Sequence, residues 1–118
     1  MLVATLFAIS SACSTVPLTG RRQANLVSDA EMQQMAAQSY REVLSDPKTQ
    51  VVNNTTQSRK VKEIGNNIKN AVTRFMSQQG LSASIEGFNW EFNLLQSNDV
   101  NAWCMPGGKV AVYTGILP

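Results

Sequence analysis

Histidine is absent from this 118-residue sequence, and cysteine occurs only twice, at Cys13 and Cys104. Without an imidazole nothing is available to activate Cys104 as a nucleophile, which excludes a cysteine protease. Two cysteines and no CxxC also exclude a disulfide framework and a thiolate metal cluster. A Cys13–Cys104 bridge stays open in an oxidising compartment but not if Cys13 carries lipid. Cys104 sits in an alternating apolar stretch and reads as a small buried hydrophobe. Charge is scarce too: ten Lys and Arg stand against eight Asp and Glu, a net of +2. The nearest basic clusters are Arg21-Arg22 and Arg59-Lys60 with Lys62, the latter at the spacing of a solvated helix face. No clustered basic surface results, so nucleic acid is excluded as a partner. The carboxylates are scattered. Only Asp29 with Glu31, and Glu86 with Glu91, lie close in sequence, and neither pair has ligand spacing or an evident partner.

What is present is a hydrophobic content of 43%, which fits a globular segment, in a length with room for one domain at most. The opening run "MLVATLFAIS" is apolar and uncharged but too short to span a bilayer, which takes roughly 20 residues. Its length suits the core of a secretory signal, and "SSAC" places small residues directly before Cys13. Residues 1–13 therefore resemble a bacterial lipoprotein signal, with Cys13 as the lipidated first mature residue. A simple cleaved signal or a buried apolar N-terminus is the alternative. Residues 14–27, with Pro17 and Gly20 and no period, read as a tether.

The folded part is expected over 28–118. Ser28 and Glu31 form a capping-box pattern ahead of a stripe of Met32, Met35, Ala36, Tyr40, Val43 and Leu44, and Ser45-Asp46-Pro47 ends that helix. A polar connection follows, in which a residue at 54–56 caps a second helix from about Gln57 to Gln79. Its stripe is Val61, Ile64, Ile68, Ala71, Val72, Phe75 and Met76, with Gly65 inside it and Gly80 at its C-terminal end. Then the period changes. "FNWEFNLL" puts Phe88, Trp90, Phe92 and Leu94 on one face of a strand, and "VNAWCMP" and "KVAVYTG" form a hairpin around Gly107-Gly108. The predicted fold class is α+β: two long N-terminal helices, then a small antiparallel sheet closed by a C-terminal β-hairpin.

The order of tether, capped helix, long helix and aromatic strand, ending in "NAWCMPGGKVAVYTGILP", resembles the front of a zinc metallopeptidase. The family is the HtpX- and CAAX-prenyl-protease-like zincins, in particular their soluble bacterial lipoprotein members. The resemblance implies that an HExxH helix bearing the zinc ligands follows the last residue given, so that this chain supplies no metal ligand and no catalytic residue. It implies that the closing hairpin borders the active-site cleft and that its edge strand aligns extended substrate by β-augmentation. The substrate-binding residues are then Asn101, Ala102, Trp103, Cys104, Pro106, Gly107 and Gly108, with Trp103 as a packing or pocket residue. Pattern alone gives the bland alternative, a plain core hairpin.

Two function classes follow. One is the N-terminal part of a zinc-dependent metalloendopeptidase of the bacterial cell envelope, periplasm-facing and lipid-anchored to a membrane, with zinc as cofactor of the full-length enzyme. The other is a non-catalytic envelope lipoprotein that binds extended polypeptide. The chain as given is expected to be inactive and to bind no zinc.

Overall fold

The computed structural model describes residues 26–118 together with the backbone of two short strands; residues 1–12, 16–21 and 25 lie outside the described residues. The apolar N-terminal segment read as a signal is therefore outside them. The strands are β1 (Cys13–Thr15) and β2 (Arg22–Ala24), paired antiparallel with Cys13 opposite Ala24. A short ladder thus occupies part of the segment read as a tether, where the sequence shows no alternation.

Helix α1 (Asp29–Ser45) starts where the Ser28 hydroxyl accepts the Glu31 N–H at 3.2 Å. It ends at Asp46, whose extended backbone satisfies the restriction that Pro47 imposes. Helix α2 (Thr56–Gln78) is capped by Thr55 in a reciprocal box with Ser58, which satisfies two orphan amides at once. Gly80, at φ +69°, closes it in the left-handed conformation that glycine adopts without steric cost.

Between the helices lies β3 (Val51–Val52), in a stretch expected to be a polar connection. Two residues are too few to show a period. The remaining strands are β4 (Glu91–Leu95), β5 (Ala102–Met105) and β6 (Lys109–Tyr113), and single 3-10 turns occupy Ser82–Ile85 and Thr114–Ile116.

The sheet corrects one expectation. It is mixed, in the order β3-β4-β6-β5, with β4 and β6 parallel and the other two pairings antiparallel. Residues 96–101 are long enough to carry the chain past one strand width, about 5 Å, so β5 lands one place away from β4. The hairpin then returns β6 into the gap. This puts β6 at the centre, where Ala111 is fully buried, and leaves β5 at the end of the sheet.

Each face carries one helix. Tyr40 of α1 packs with Leu95 and Ala111, and Val43, Leu44, Trp103 and Met105 close around them. Phe92, of opposite parity on β4, faces α2 at Gly65, where a Cβ would stand only 2.4 Å from the ring. The residue expected to cost helix propensity is therefore the one that lets helix and sheet touch. The apolar stripe of α2 is only partly covered. Val61 and Met76 are buried, whereas Ile64, Ile68 and Phe75 stay about half exposed. On α1, Met32 and Met35 are likewise exposed and do not join the core.

Candidate substrate edge and adjoining cleft

The candidate site is built on the backbone of β5, the last strand of its sheet. Tyr113 donates its N–H to Asn101 O at 3.1 Å, one step beyond the Ala102–Val112 pair. In an antiparallel ladder, directly bonded pairs alternate with unbonded ones. Asn101, Trp103 and Met105 therefore turn their N–H and C=O groups toward β6. Ala102 and Cys104 turn theirs outward, away from the sheet. Since β5 is the last strand in the order, these outward groups form a free edge among the described residues. The Ala102 N–H is held by Asn101 Oδ1 at 2.9 Å.

Side chains alternate across the same strand. Trp103 and Met105 point at α1, with the Trp103 ring edge-on to Tyr40 at a centroid distance of 6.0 Å. The indole N–H of Trp103 donates to the Tyr113 hydroxyl at 3.0 Å, so Trp103 is a packing residue. Ala102 and Cys104 lie on the opposite face and are exposed. The expectation of a buried Cys104 is thus corrected: Cys104 is a free, exposed thiol. An alternating pattern does not say which of its two sets faces the core, and here the larger residues do.

Pro106, Gly107 and Gly108 make a three-residue turn between Met105 and Lys109. Pro106 is exposed, while both glycines are buried with positive φ, +87° and +82°. A Cβ on Gly107 would meet Gln33 at 3.4 Å, and one on Gly108 would meet the Trp90 ring at 2.8 Å. The structure thus supplies a packing reason for both glycines. The turn carbonyls also accept from the start of β4 and the residues before it, Gly107 from the Asn89 N–H and Gly108 from the Glu91 N–H. Asn101, Ala102 and Cys104 are brought together at the free edge; Trp103 and the glycines hold it from behind.

A polar cleft of about 340 Å³ opens between α1 and the turn, lined by Gln33, Arg41, Asn89, Glu91 and Lys109. Sequence reasoning left Glu91 without a partner and passed over Lys109. In the fold Lys109 is 4% exposed, and its Nζ donates to Glu91 Oε1 at 2.8 Å and to Asn89 O at 2.6 Å. Parallel register sets Glu91 opposite Lys109, a relation that no local spacing reveals. A lone lysine opening the apolar run "KVAVY" was the available signal, since a lysine is rarely buried unless paired. Above this pair the Tyr40 hydroxyl donates to Val110 O and accepts from Asn93 Nδ2 at 3.0 Å. Burial pushes the Tyr40 phenol above its ordinary range; the Asn93 hydrogen bond draws it back, and the charge on Glu91 adds to the rise.

The residues present do not fit a catalytic metal. Catalytic zinc takes three protein ligands and an open position. The sequence has no histidine, and no three Cys, Asp or Glu side chains gather among the described residues. Likewise, no described helix is long and apolar enough to cross a membrane.

Comparison with known proteins gives partial likenesses. The chain is 29% identical over 103 residues to the mitochondrial metalloendopeptidase OMA1 of Schizosaccharomyces pombe, a match covering 87% of this chain and 28% of that protein. It is 42% identical over 36 residues to the Arabidopsis thaliana protein of the same name, covering 30% of this chain and 7% of that one. The chain thus spans less than a third of the length of the curated relatives it matches. No family model and no solved structure matches. The likeness supports a metallopeptidase relationship at that level; it does not single out the HtpX and CAAX-prenyl-protease branch.

Proposed function

We propose that this chain is the substrate-aligning, N-terminal part of a zinc-dependent metalloendopeptidase, with the zinc ligands outside its 118 residues. The observation that carries the reading is the outward-facing backbone of Ala102 and Cys104 on an edge strand, in a chain similar to a metalloendopeptidase over 87% of its length. An edge with free amides and carbonyls holds extended polypeptide with little demand on its sequence, as a general peptidase requires. Val100 to Met105 contains no charge, which suits an edge left open rather than blocked. The chemistry of hydrolysis would belong to a zinc ion held elsewhere in the longer protein. Within this chain the contribution is alignment, with the Trp103–Tyr113 and Trp103–Tyr40 contacts holding β5 rigid behind the bound backbone.

The test is to read the gene past the Pro118 codon and express the longest in-frame product. An HExxH segment soon after Pro118, with chelator-sensitive cleavage of casein by that product, is the expected result. A stop codon at that point, with peptide binding retained, would overturn the enzyme reading in favour of a non-catalytic protein that binds extended polypeptide.

Anchoring rests on "SSAC" alone and is a second, separate proposal: Cys13 is lipidated and holds the protein at a bacterial envelope membrane by acyl groups. Mass spectrometry of detergent-extracted protein should find an N-terminus at Cys13 with added acyl mass. An unmodified Cys13 sinks it.

A further inference from the structure

The free edge of β5 is not wholly free. Of its four outward groups, the Cys104 N–H, the Cys104 C=O and the Ala102 C=O make no hydrogen bond among the described residues, but the Ala102 N–H is bonded to Asn101 Oδ1. An asparagine side chain ends in the same amide as the peptide backbone, so its oxygen is chemically what an incoming strand would offer. Asn101 is exposed, and its side chain makes no other hydrogen bond among the described residues.

Resting on the edge-strand reading above, we infer that Asn101 is an internal stand-in for a substrate carbonyl. It occupies the Ala102 N–H in the free protein and swings aside when an extended peptide adds to β5. An antiparallel guest can form both bonds of a pair at Cys104 at once, because those groups are open. At Ala102 it forms one bond to the carbonyl and gains the second only when Asn101 leaves. Pairing therefore starts at Cys104 and completes at Ala102, which fixes the register of the bound chain on Cys104. The stand-in also satisfies one of the two outward donors that make the edge a template for another chain. The binding it costs is the affinity carried by one net hydrogen bond, about fivefold.

Two variants pull in opposite directions. Asn101→Ala removes the competitor and should tighten binding about fivefold. Asn101→Asp holds the Ala102 N–H with a charged acceptor, a stronger bond, and should weaken it. The probe is a capped, alternating Thr-Val peptide, titrated into the 118-residue protein while backbone amide resonances are followed. A second readout needs no peptide: the Ala102 amide should exchange with solvent more slowly than the Cys104 amide, and several-fold faster in Asn101→Ala.

If Ala102 exchange is the same with and without the asparagine, the stand-in is wrong while the edge reading survives. If Asn101→Ala speeds exchange but weakens the peptide, Asn101 contacts the guest directly and the inference is overturned. If no variant shows a shift at Cys104 on adding peptide, the edge reading itself fails and takes this inference with it.

Discussion

The two ends of the sheet treat the same hazard differently. At one end β3 is two residues long, Val51–Val52, and the chain leaves it within a few residues for the cap of α2. Asn54, at φ +59°, turns the backbone away. At the other end β5 offers four residues, no charge and two outward backbone units. Natural proteins blunt edges by shortening them or charging them. Here one edge is shortened and the other is neither shortened nor charged, only screened at one donor by Asn101. The difference separates a sheet end that stops after two residues from one whose backbone is left open, which is what the proposed strand addition requires.

The largest expected effect tests which backbone groups of β5 face inward. Trp103→Pro deletes a ladder donor, unseats the indole and should destabilise the fold by about 3 kcal/mol or more, read as a large fall in Tm. Cys104→Pro, one residue on, removes an outward donor, and proline is tolerated on edge strands where its nitrogen faces solvent. That variant should stay folded while losing Thr-Val peptide binding. Equal destabilisation by the two prolines would show that the assigned alternation is wrong.

A middle effect concerns the core that backs this edge. Tyr40→Phe leaves Val110 O and Asn93 Nδ2 without their shared partner and should cost about 1–3 kcal/mol. Tyr40 also titrates later in the folded chain than in the unfolded one. Its contribution is thus fully present below the unfolded value, about pH 10, and is lost as pH rises through the higher folded value. Denaturant midpoints measured across that alkaline window should fall for the native protein and flatten in Tyr40→Phe. An unchanged alkaline slope in the variant would remove Tyr40 from the account.

The smallest effect on stability is a charge at the open edge. Ala102→Lys is exposed and should change stability by no more than about 0.5 kcal/mol. It should nonetheless abolish peptide addition, because it installs the block that β5 lacks. If it leaves peptide binding intact, the open edge is not where the guest sits.

Caps and breakers made the helices readable. Ser28, Pro47, Thr55 and Gly80 set boundaries within a residue of those expected, because capping chemistry is local. The hairpin was equally readable, since Pro106, Gly107 and Gly108 mark its turn. The parallel pairing was not, because nothing in residues 96–101 announces that the chain will skip a place for β6. The same gap hid the Lys109–Glu91 pair, which exists only through that register. Cys104 was misplaced for another reason, since alternation alone does not say which of its two sets faces the core. On α2 the period identified an apolar face correctly but could not say how much of it this chain covers; Ile64, Ile68 and Phe75 remain half exposed. At the candidate site, the residue types in "NAWCM" pointed to β5, while the division between outward Ala102 and Cys104 and inward Trp103 needed the ladder.

Tyr40 carries a consequence for the order of events in folding. Its hydroxyl joins residues 53 and 70 positions away in sequence, Asn93 and Val110, and its ring meets Trp103, so one side chain clasps three strands to α1. Closing loops of that length is an entropic cost repaid only once β4, β5 and β6 already lie side by side. The Gly65–Phe92 contact between α2 and β4 closes a shorter loop and can form first. Helix α1 then docks late, onto a sheet already assembled against α2. Tyr40→Phe should accordingly act on the unfolding arm of a chevron plot and leave the refolding arm nearly unmoved. The clasp behind the open edge of β5 would be the last part of the molecule to lock and the first to release.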